Sequence, residues 1–176
     1  MNLKYAVSAL RDNGCDFRSA SWGMSKTDVM YSEGLVPQSE GEGYVTYRER
    51  VMNLDAVVGF HFVSDSLVEA GYAFREPLGS EHVYIREYGK VKGILTGSYG
   101  KPAIDEDSCG ECVGFCVGCF AEDDREACSP VYLSEWMTLR SVIRLVLVGE
   151  GGGYDFGVLH RSRAHAQLIE RRKEGD

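Results

Sequence analysis

The sequence lacks the long apolar stretch that a membrane-spanning helix requires. None of its segments reaches the roughly 18 consecutive apolar residues that cross a bilayer. The opening residues 1–11 contain only a short apolar run, shorter than that of a secretion signal and without a clear cleavage site. We therefore expect no membrane span and a cytoplasmic protein, or a periplasmic one if a signal peptide was removed.

Positive charge and catalytic motifs are also scarce. The 19 Lys and Arg residues are outnumbered by 27 Asp and Glu, which leaves a net charge of −8 and argues against a nucleic-acid binder. The sequence contains no G-x-S-x-G elbow, no H-E-x-x-H zinc motif and no G-x-G-x-x-G nucleotide loop. No nucleophile, base and orienting group stand out together, so we expect a protein that is not an enzyme.

The amino-acid composition, with 44% hydrophobic residues, is typical of a globular protein, and we expect a single domain over residues 1–176. Ser25 followed by Asp28 resembles a capping box, which predicts a short helix that runs to about Glu33 and stops at Gly34. After a polar loop, apolar residues alternate with polar ones in three segments. These predicted strands lie at about 45–51, 58–62 and 68–74.

The second half repeats this order of elements. Apolar residues at i, i+4, i+7 and i+11 predict a helix from about residue 84 to residue 98. Strands are predicted at about 131–139, 142–147 and 154–158. The predicted fold class is α+β, a tandem repeat of one helix plus a three-stranded antiparallel meander, with both helices on one face of a mainly antiparallel sheet. The repeats would span about 16–76 and 80–162, and the other sheet face would be open.

A motif near the start resembles a known family. The residues from Phe17 to Val29 read FRSASWGMSKTDV, and they look like the FRxxxWGMSxxEV opening of an uncharacterised bacterial family. The arrangement of a helix and a meander also resembles the beta-lactamase inhibitor protein and the small outer-membrane assembly lipoproteins. That resemblance implies a non-enzymatic protein that binds other proteins, and it is an analogy at the level of the fold.

Five of the six cysteines fall in an acidic insert at about 103–129. Cys109, Cys112, Cys116 and Cys119 form two C-x2-C pairs, which can hold Zn2+ through four thiolates. Zinc sites usually leave roughly 12 or more residues between such pairs, whereas three intervene here. Disulfides, which need an oxidising compartment, and reduced thiols in a plain loop are the alternatives.

Two histidines lie on predicted strands. His61 is placed by alternation on the open face, and His160 ends the last strand. A site that joins them is conceivable, but lone strand histidines are usually partly exposed polar residues.

Together these features favour a protein-binding module that uses the open sheet face or the acidic insert. The alternative is a small metal-binding or redox module whose cysteines bind Zn or form disulfides.

Overall fold

A computed structural model describes residues 15–106, 130–150 and 153–165. Within these ranges the chain forms two α-helices and eight β-strands. In chain order they are α1 (Lys26–Glu33), β1 (Ser39–Gly41), β2 (Tyr44–Val51), β3 (Leu54–Val63), β4 (Ser66–Phe74), α2 (Glu81–Tyr99), β5 (Ile104–Glu106), β6 (Pro130–Met137), β7 (Ser141–Glu150) and β8 (Gly153–Ser162). Neither helix is long and apolar enough to cross a membrane.

All eight strands join one antiparallel sheet in the order β1-β2-β3-β4-β8-β7-β6-β5. The antiparallel character was predicted, but the tandem repeat is wrong. The sheet runs without a break through the β4–β8 pair, and two further strands of three residues each, β1 and β5, form its edges. The helices also differ, with 8 residues in α1 and 19 in α2. The order of elements in the sequence suggested two equal units, which the structure does not contain.

The ends of α1 follow from local side-chain chemistry. Ser25 is the N-cap, and its hydroxyl oxygen accepts a hydrogen bond from the Asp28 backbone N–H at 3.2 Å. The helix stops at Gly34, whose φ of 64° lies in the left-handed region that favours glycine. The predicted start and stop of this helix are confirmed.

One face of the sheet, here called the helix face, carries both helices. Val29 of α1 and Tyr88, Val91 and Leu95 of α2 are buried in a single core with inward side chains of the strands. One cross-strand row of this face consists of Val45, Phe60, Ala70, His160, Ile143 and Trp136. Burial of these apolar side chains provides the main stabilisation of the fold.

The other side of the sheet, here called the opposite face, is exposed at Arg48 and Arg50 on β2, as predicted for an open face, but it is buried over parts of β4, β8, β7 and β6. A second apolar cluster lies there, and its members are between 1% and 6% exposed: Ala73, Leu133, Val146 and Val148. Glu69 and Glu135, on the same face, are 8% and 6% exposed. Alternation placed polar residues on this face, but it could not show that these acids pair with arginines on neighbouring strands.

Candidate functional site

The residues proposed to bind zinc, Cys109, Cys112, Cys116 and Cys119, lie outside the described residues, so zinc binding stays a prediction. Among the residues that are described, no group of three or more His, Cys, Asp and Glu side chains is arranged to hold a metal ion. Within the described residues, a charged cluster lies between α1 and the sheet.

This cluster, here called the Arg18 cluster, consists of Arg18, Glu33, Glu49, Tyr47 and Tyr72. The Arg18 guanidinium donates through Nη1 to Glu49 Oε2 at 2.5 Å and lies 3.0 Å from Glu33 Oε2 through Nη2. The Glu33 side chain is 2% exposed, and Ser19 Oγ donates to its other oxygen at 2.8 Å. One arginine therefore ties the last residue of α1 to strand β2.

A tight turn before α1 places Arg18. Phe17 and Ala20 form an isolated antiparallel bridge, and both are buried in the core. Arg18, between them, has a φ of 54°, which non-glycine residues seldom adopt. Because its neighbours are fixed in the core, the Arg18 side chain is directed toward the two carboxylates. Backbone strain of this kind is tolerated where the surrounding contacts compensate it.

Burial and charge act in opposite directions within the cluster. Burial disfavours the charged form of Arg18, but the hydrogen bond to Glu49 and the nearby carboxylates outweigh it and raise the Arg18 pKa. For Glu33, burial has the larger effect, and its pKa is raised despite the attraction of Arg18. The glutamate nearest the core is therefore the one whose charge depends most on its arginine partner.

Two tyrosine hydroxyls border these charges. Tyr47 and Tyr72 flank Val58 on the helix face, and they are 1% and 3% exposed. Burial raises the pKa of both phenols, so they stay neutral. Neither hydroxyl has a hydrogen-bond partner among the described parts of the chain. Neutral phenols and a fully paired arginine suit a structural cluster better than acid–base chemistry.

His160 lies on the same face, one row from Tyr72. Its ring is 1% exposed, packs 5.0 Å from the Phe17 ring and 6.3 Å from the Tyr99 ring, and has no hydrogen-bond partner within the described ranges. Burial lowers its pKa to about 3. His61 pairs with Glu69, one residue out of phase with the row of His160, and so points to the opposite face. The two histidines therefore do not form the joint site that the sequence left conceivable, and His160 is not a partly exposed residue.

The opposite face contains two further ion pairs. The Arg161 guanidinium contacts Glu69 Oε2 through Nε at 2.8 Å and Nη2 at 2.7 Å. Arg144 donates through Nε to Glu135 Oε2 at 2.5 Å. Each pair joins neighbouring strands and neutralises a buried carboxylate, which would otherwise be costly to place there.

Sequence reasoning missed the Arg18 cluster, although two of its members were in view. Arg18 belongs to the FRSASWGMSKTDV segment, and Glu33 ends the helix that follows it. An arginine and a glutamate that flank a short capped helix are a weak signal of a pair across its end. Glu49 lies on a strand that appeared half-buried, and nothing in the alternation indicates which charge it meets.

The fold defines a class of protein, a single antiparallel sheet that carries two helices on one face. No protein family, curated protein or solved structure matches this chain. The resemblance to the bacterial family with the FRxxxWGMSxxEV motif therefore stays a prediction.

Proposed function

We propose that this protein is a non-enzymatic protein-binding module. The observation that carries the proposal is a group of exposed apolar side chains at the end of α1. Tyr31 and Val36 are each 90% exposed, and Leu35 is 41% exposed. These three residues are here called the α1 patch. Large apolar side chains that are this exposed and close in sequence are typical of interaction sites, and tyrosine is enriched in their energetic centres.

The α1 patch has a rigid base. Val29, on the inward side of the same helix, is fully buried, and Glu33 is held by Arg18. Tyr31 lies on this helix and therefore loses little conformational entropy when it binds, whereas Leu35 and Val36 follow the helix in the connection to β1. The opposite face, one of the two surfaces that the sequence suggested, offers less exposed apolar surface, because its apolar cluster is buried. The acidic insert stays a second candidate surface.

A photo-crosslinking experiment in cells tests the proposal. A benzoylphenylalanine in place of Tyr31 is expected to give one discrete protein adduct. The same probe in place of His82, which is exposed on α2 away from the patch, is the matched control. The substitution Val36→Glu should abolish the adduct without changing the melting temperature. The proposal fails if the two probe positions give the same adducts or if position 31 gives none.

The cysteine insert supports a second proposal, a zinc or redox module, on its spacing alone. Metal analysis and thiol counting on freshly purified protein separate the alternatives. About one zinc per chain would support the metal site, whereas no metal and three disulfides would indicate export to an oxidising compartment. No metal and six free thiols would contradict both. A cytoplasmic location is part of the proposal for the reduced and metal-bound forms.

A further inference from the structure

The turn between β6 and β7 presents a second group of exposed apolar side chains. Leu139 at its tip is 94% exposed, and Met137 before it is 60% exposed. Hydrogen bonds across the turn fix its backbone, because Thr138 N donates to Ser141 O at 2.9 Å and Ser141 N donates to Thr138 Oγ1 at 2.9 Å. Leu139 and Met137, here called the turn patch, are therefore apolar side chains on a rigid base, a combination typical of interaction sites.

The charge beside the turn patch is positive. Arg140 belongs to the turn itself, and its side chain is largely exposed. Arg163, also exposed, donates through Nη1 to Thr138 O at 2.7 Å, which places its guanidinium against the turn. Asp16 pairs with Arg140 at 2.7 Å, but the aspartate side chain is buried. A guanidinium has five N–H donors, more than these contacts use, so both arginines can bind carboxylates of a partner.

The charge around the α1 patch has the opposite sign. Residues 26–42, which include the patch, contain four acids and one lysine. Glu33 is buried against Arg18, whereas the other three acids are exposed: Asp28, Glu40 and Glu42. Asp28 precedes Tyr31 by three residues on α1, so these two side chains are neighbours on the helix surface. The α1 patch thus combines apolar anchors with carboxylates, and it is complementary to the apolar residues and arginines of the turn patch.

The two patches of one chain are too far apart to cover each other. Helix α1 packs against β2, and Arg18 ties its end to the same strand. The turn patch lies where β6 meets β7, and β3, β4 and β8 separate β2 from β7 in the sheet. Four strand spacings of about 4.8 Å amount to about 19 Å, which is farther than two side chains can bridge. A contact between these two patches therefore requires two molecules.

We propose that the α1 patch of one chain binds the turn patch of a second copy. This inference rests on the proposed function, because the α1 patch is the binding surface in both. A second copy is favoured because one chain carries both halves of the contact, two exposed apolar groups with opposite charge beside them. Since the two surfaces differ, the contact is heterologous, and in a pair of copies it leaves one α1 patch and one turn patch for further copies. Both patches are small, so we expect a weak association that increases with concentration.

Sedimentation velocity of the purified full-length chain tests the inference with two variants. Val36→Lys disrupts the α1 patch and Leu139→Asp disrupts the turn patch, and each adds a charge that repels the charges of the other patch. Both positions are at least 90% exposed, so the melting temperatures should not change. We expect the unaltered chain to associate, and each variant alone to associate at least about tenfold more weakly.

A mixture of the two variants distinguishes a heterologous contact from a symmetric one. The Leu139→Asp chain keeps its α1 patch and the Val36→Lys chain keeps its turn patch, so the mixture should associate although neither variant does so alone. His82→Asp, exposed at the start of α2, is the matched control and should associate as the unaltered chain does. If Leu139→Asp alone associates as strongly as the unaltered chain, the turn patch is not the partner and the inference is wrong.

Crosslinking in the purified chain locates the contact. With benzoylphenylalanine in place of Tyr31, we expect an adduct between two copies at residues 137–140, and the same probe in place of His82 should not label them. A chain that stays monomeric, while the Tyr31 probe in cells labels a different protein, would overturn the second copy and leave the proposed function in place. A monomeric chain whose Tyr31 probe gives no adduct in cells would overturn both.

Discussion

Arg18 combines an unfavourable backbone conformation with two ion pairs. Its φ of 54° costs of the order of 1–3 kcal/mol in a non-glycine residue. The hydrogen bond to Glu49 and the pair with Glu33 offset that cost by neutralising a carboxylate that is 2% exposed. Arg18 is therefore a positioning residue for α1, which carries Tyr31 of the α1 patch.

The first prediction concerns the loss of this arginine. Arg18→Met removes the positive charge beside buried Glu33 and leaves only the Ser19 hydroxyl as its partner, and we expect the free energy of unfolding to fall by about 3–5 kcal/mol. Arg48→Met is the matched control, because the Arg48–Asp55 pair is exposed on both sides and should contribute no more than about 1 kcal/mol. Urea denaturation at neutral pH measures both.

A double variant checks the cause. Arg18→Met combined with Glu33→Gln removes the buried charge as well as its partner, so part of the lost stability should return. If Arg18→Met costs less than about 1 kcal/mol, the Arg18 cluster does not hold the helix.

The second prediction concerns His160 and pH. Its pKa is lowered from 6.5 to about 3 by burial, so between these values the unfolded chain binds a proton that the folded chain excludes. Stability should therefore rise as pH increases from 3 to 6.5, by as much as about 1.4 kcal/mol per pH unit. Above pH 6.5 the ring is neutral in both states, and its contribution no longer changes.

Two variants isolate this effect. His160→Leu should flatten the dependence of stability on pH across that window. Ile143→Val, which shortens the neighbouring side chain in the same row, should lower stability by a similar amount at every pH, about 0.5–1.5 kcal/mol. A pH slope that survives His160→Leu unchanged would show that other groups cause it.

At the scale of elements, the sequence predicted the two helices and the six long strands and missed the two short strands. The six long strands contain eight to ten residues each and show alternation over part of their length, and the caps of α1 are local signals, so both were visible. Strands β1 and β5 have three residues each, too few for any period to show. They form through backbone pairing with β2 and β6, which depends on the tertiary fold.

The turns between the long strands are signalled by polar residues rather than by glycine. Met52 and Asn53 join β2 to β3, and Ser64 and Asp65 join β3 to β4. All four residues have φ values between 50° and 66°, as in the two-residue turns that match the twist of a hairpin. Glycine is the usual signal for such turns, and neither pair contains it. The polar residues Asn53, Ser64 and Asp65 are the signal that remains, and it indicates a turn to within about one residue.

The third prediction compares the glycine that ends α1, Gly34, with a glycine inside α2, Gly93. Gly34 has a φ of 64° and open space where a Cβ would lie, so Gly34→Ala should cost about 1–2 kcal/mol through backbone strain alone. Gly93, exposed in the middle of α2, has equally open surroundings and no left-handed φ. Gly93→Ala should therefore stabilise the protein by about 0.4–1 kcal/mol. Thermal unfolding measures both, and the same sign for the two changes would contradict this account.

At the scale of the whole molecule, the helix face is continuous from one edge of the sheet to the other. Tyr88 of α2 donates to Ser134 Oγ on β6 at 2.7 Å, and Ser134 in turn donates to Asp105 on β5 at 2.8 Å. Lys92 also donates to Asp105, at 2.7 Å, and together with Ser134 lowers the pKa of that carboxyl. Strand β5 is thereby fixed to both the sheet and α2. The edge strand belongs to the fold rather than to the insert that follows it.

Ile104–Glu106, which the sequence assigned to the insert at about 103–129, therefore belongs to the sheet. The sequence indicated an insert from the difference in length between the two halves, and it could not show that Ile104–Glu106 pairs with residues 133–135. Pairing across the sheet is a property of the folded chain, as is the meeting of Arg18 with Glu49. Both depend on contacts between residues far apart in sequence, for which a single sequence gives no signal.

The last prediction is that the fold survives removal of the insert when β5 is kept. Deleting residues 107–129 and joining the ends with a short Gly/Ser linker preserves the Asp105 hydrogen bonds and the β5–β6 register. Loop-closure entropy changes by only about 0.6 kcal/mol for each doubling of length, so shortening the connection should not unfold the sheet. We expect cooperative thermal unfolding to remain, and any zinc bound by Cys109, Cys112, Cys116 and Cys119 to be lost. A matched deletion of residues 105–129 also removes Asp105 and Glu106, and should be less stable because Lys92 and Ser134 lose their acceptor. Loss of cooperative unfolding in both deletions would mean that the cysteine segment is part of the core.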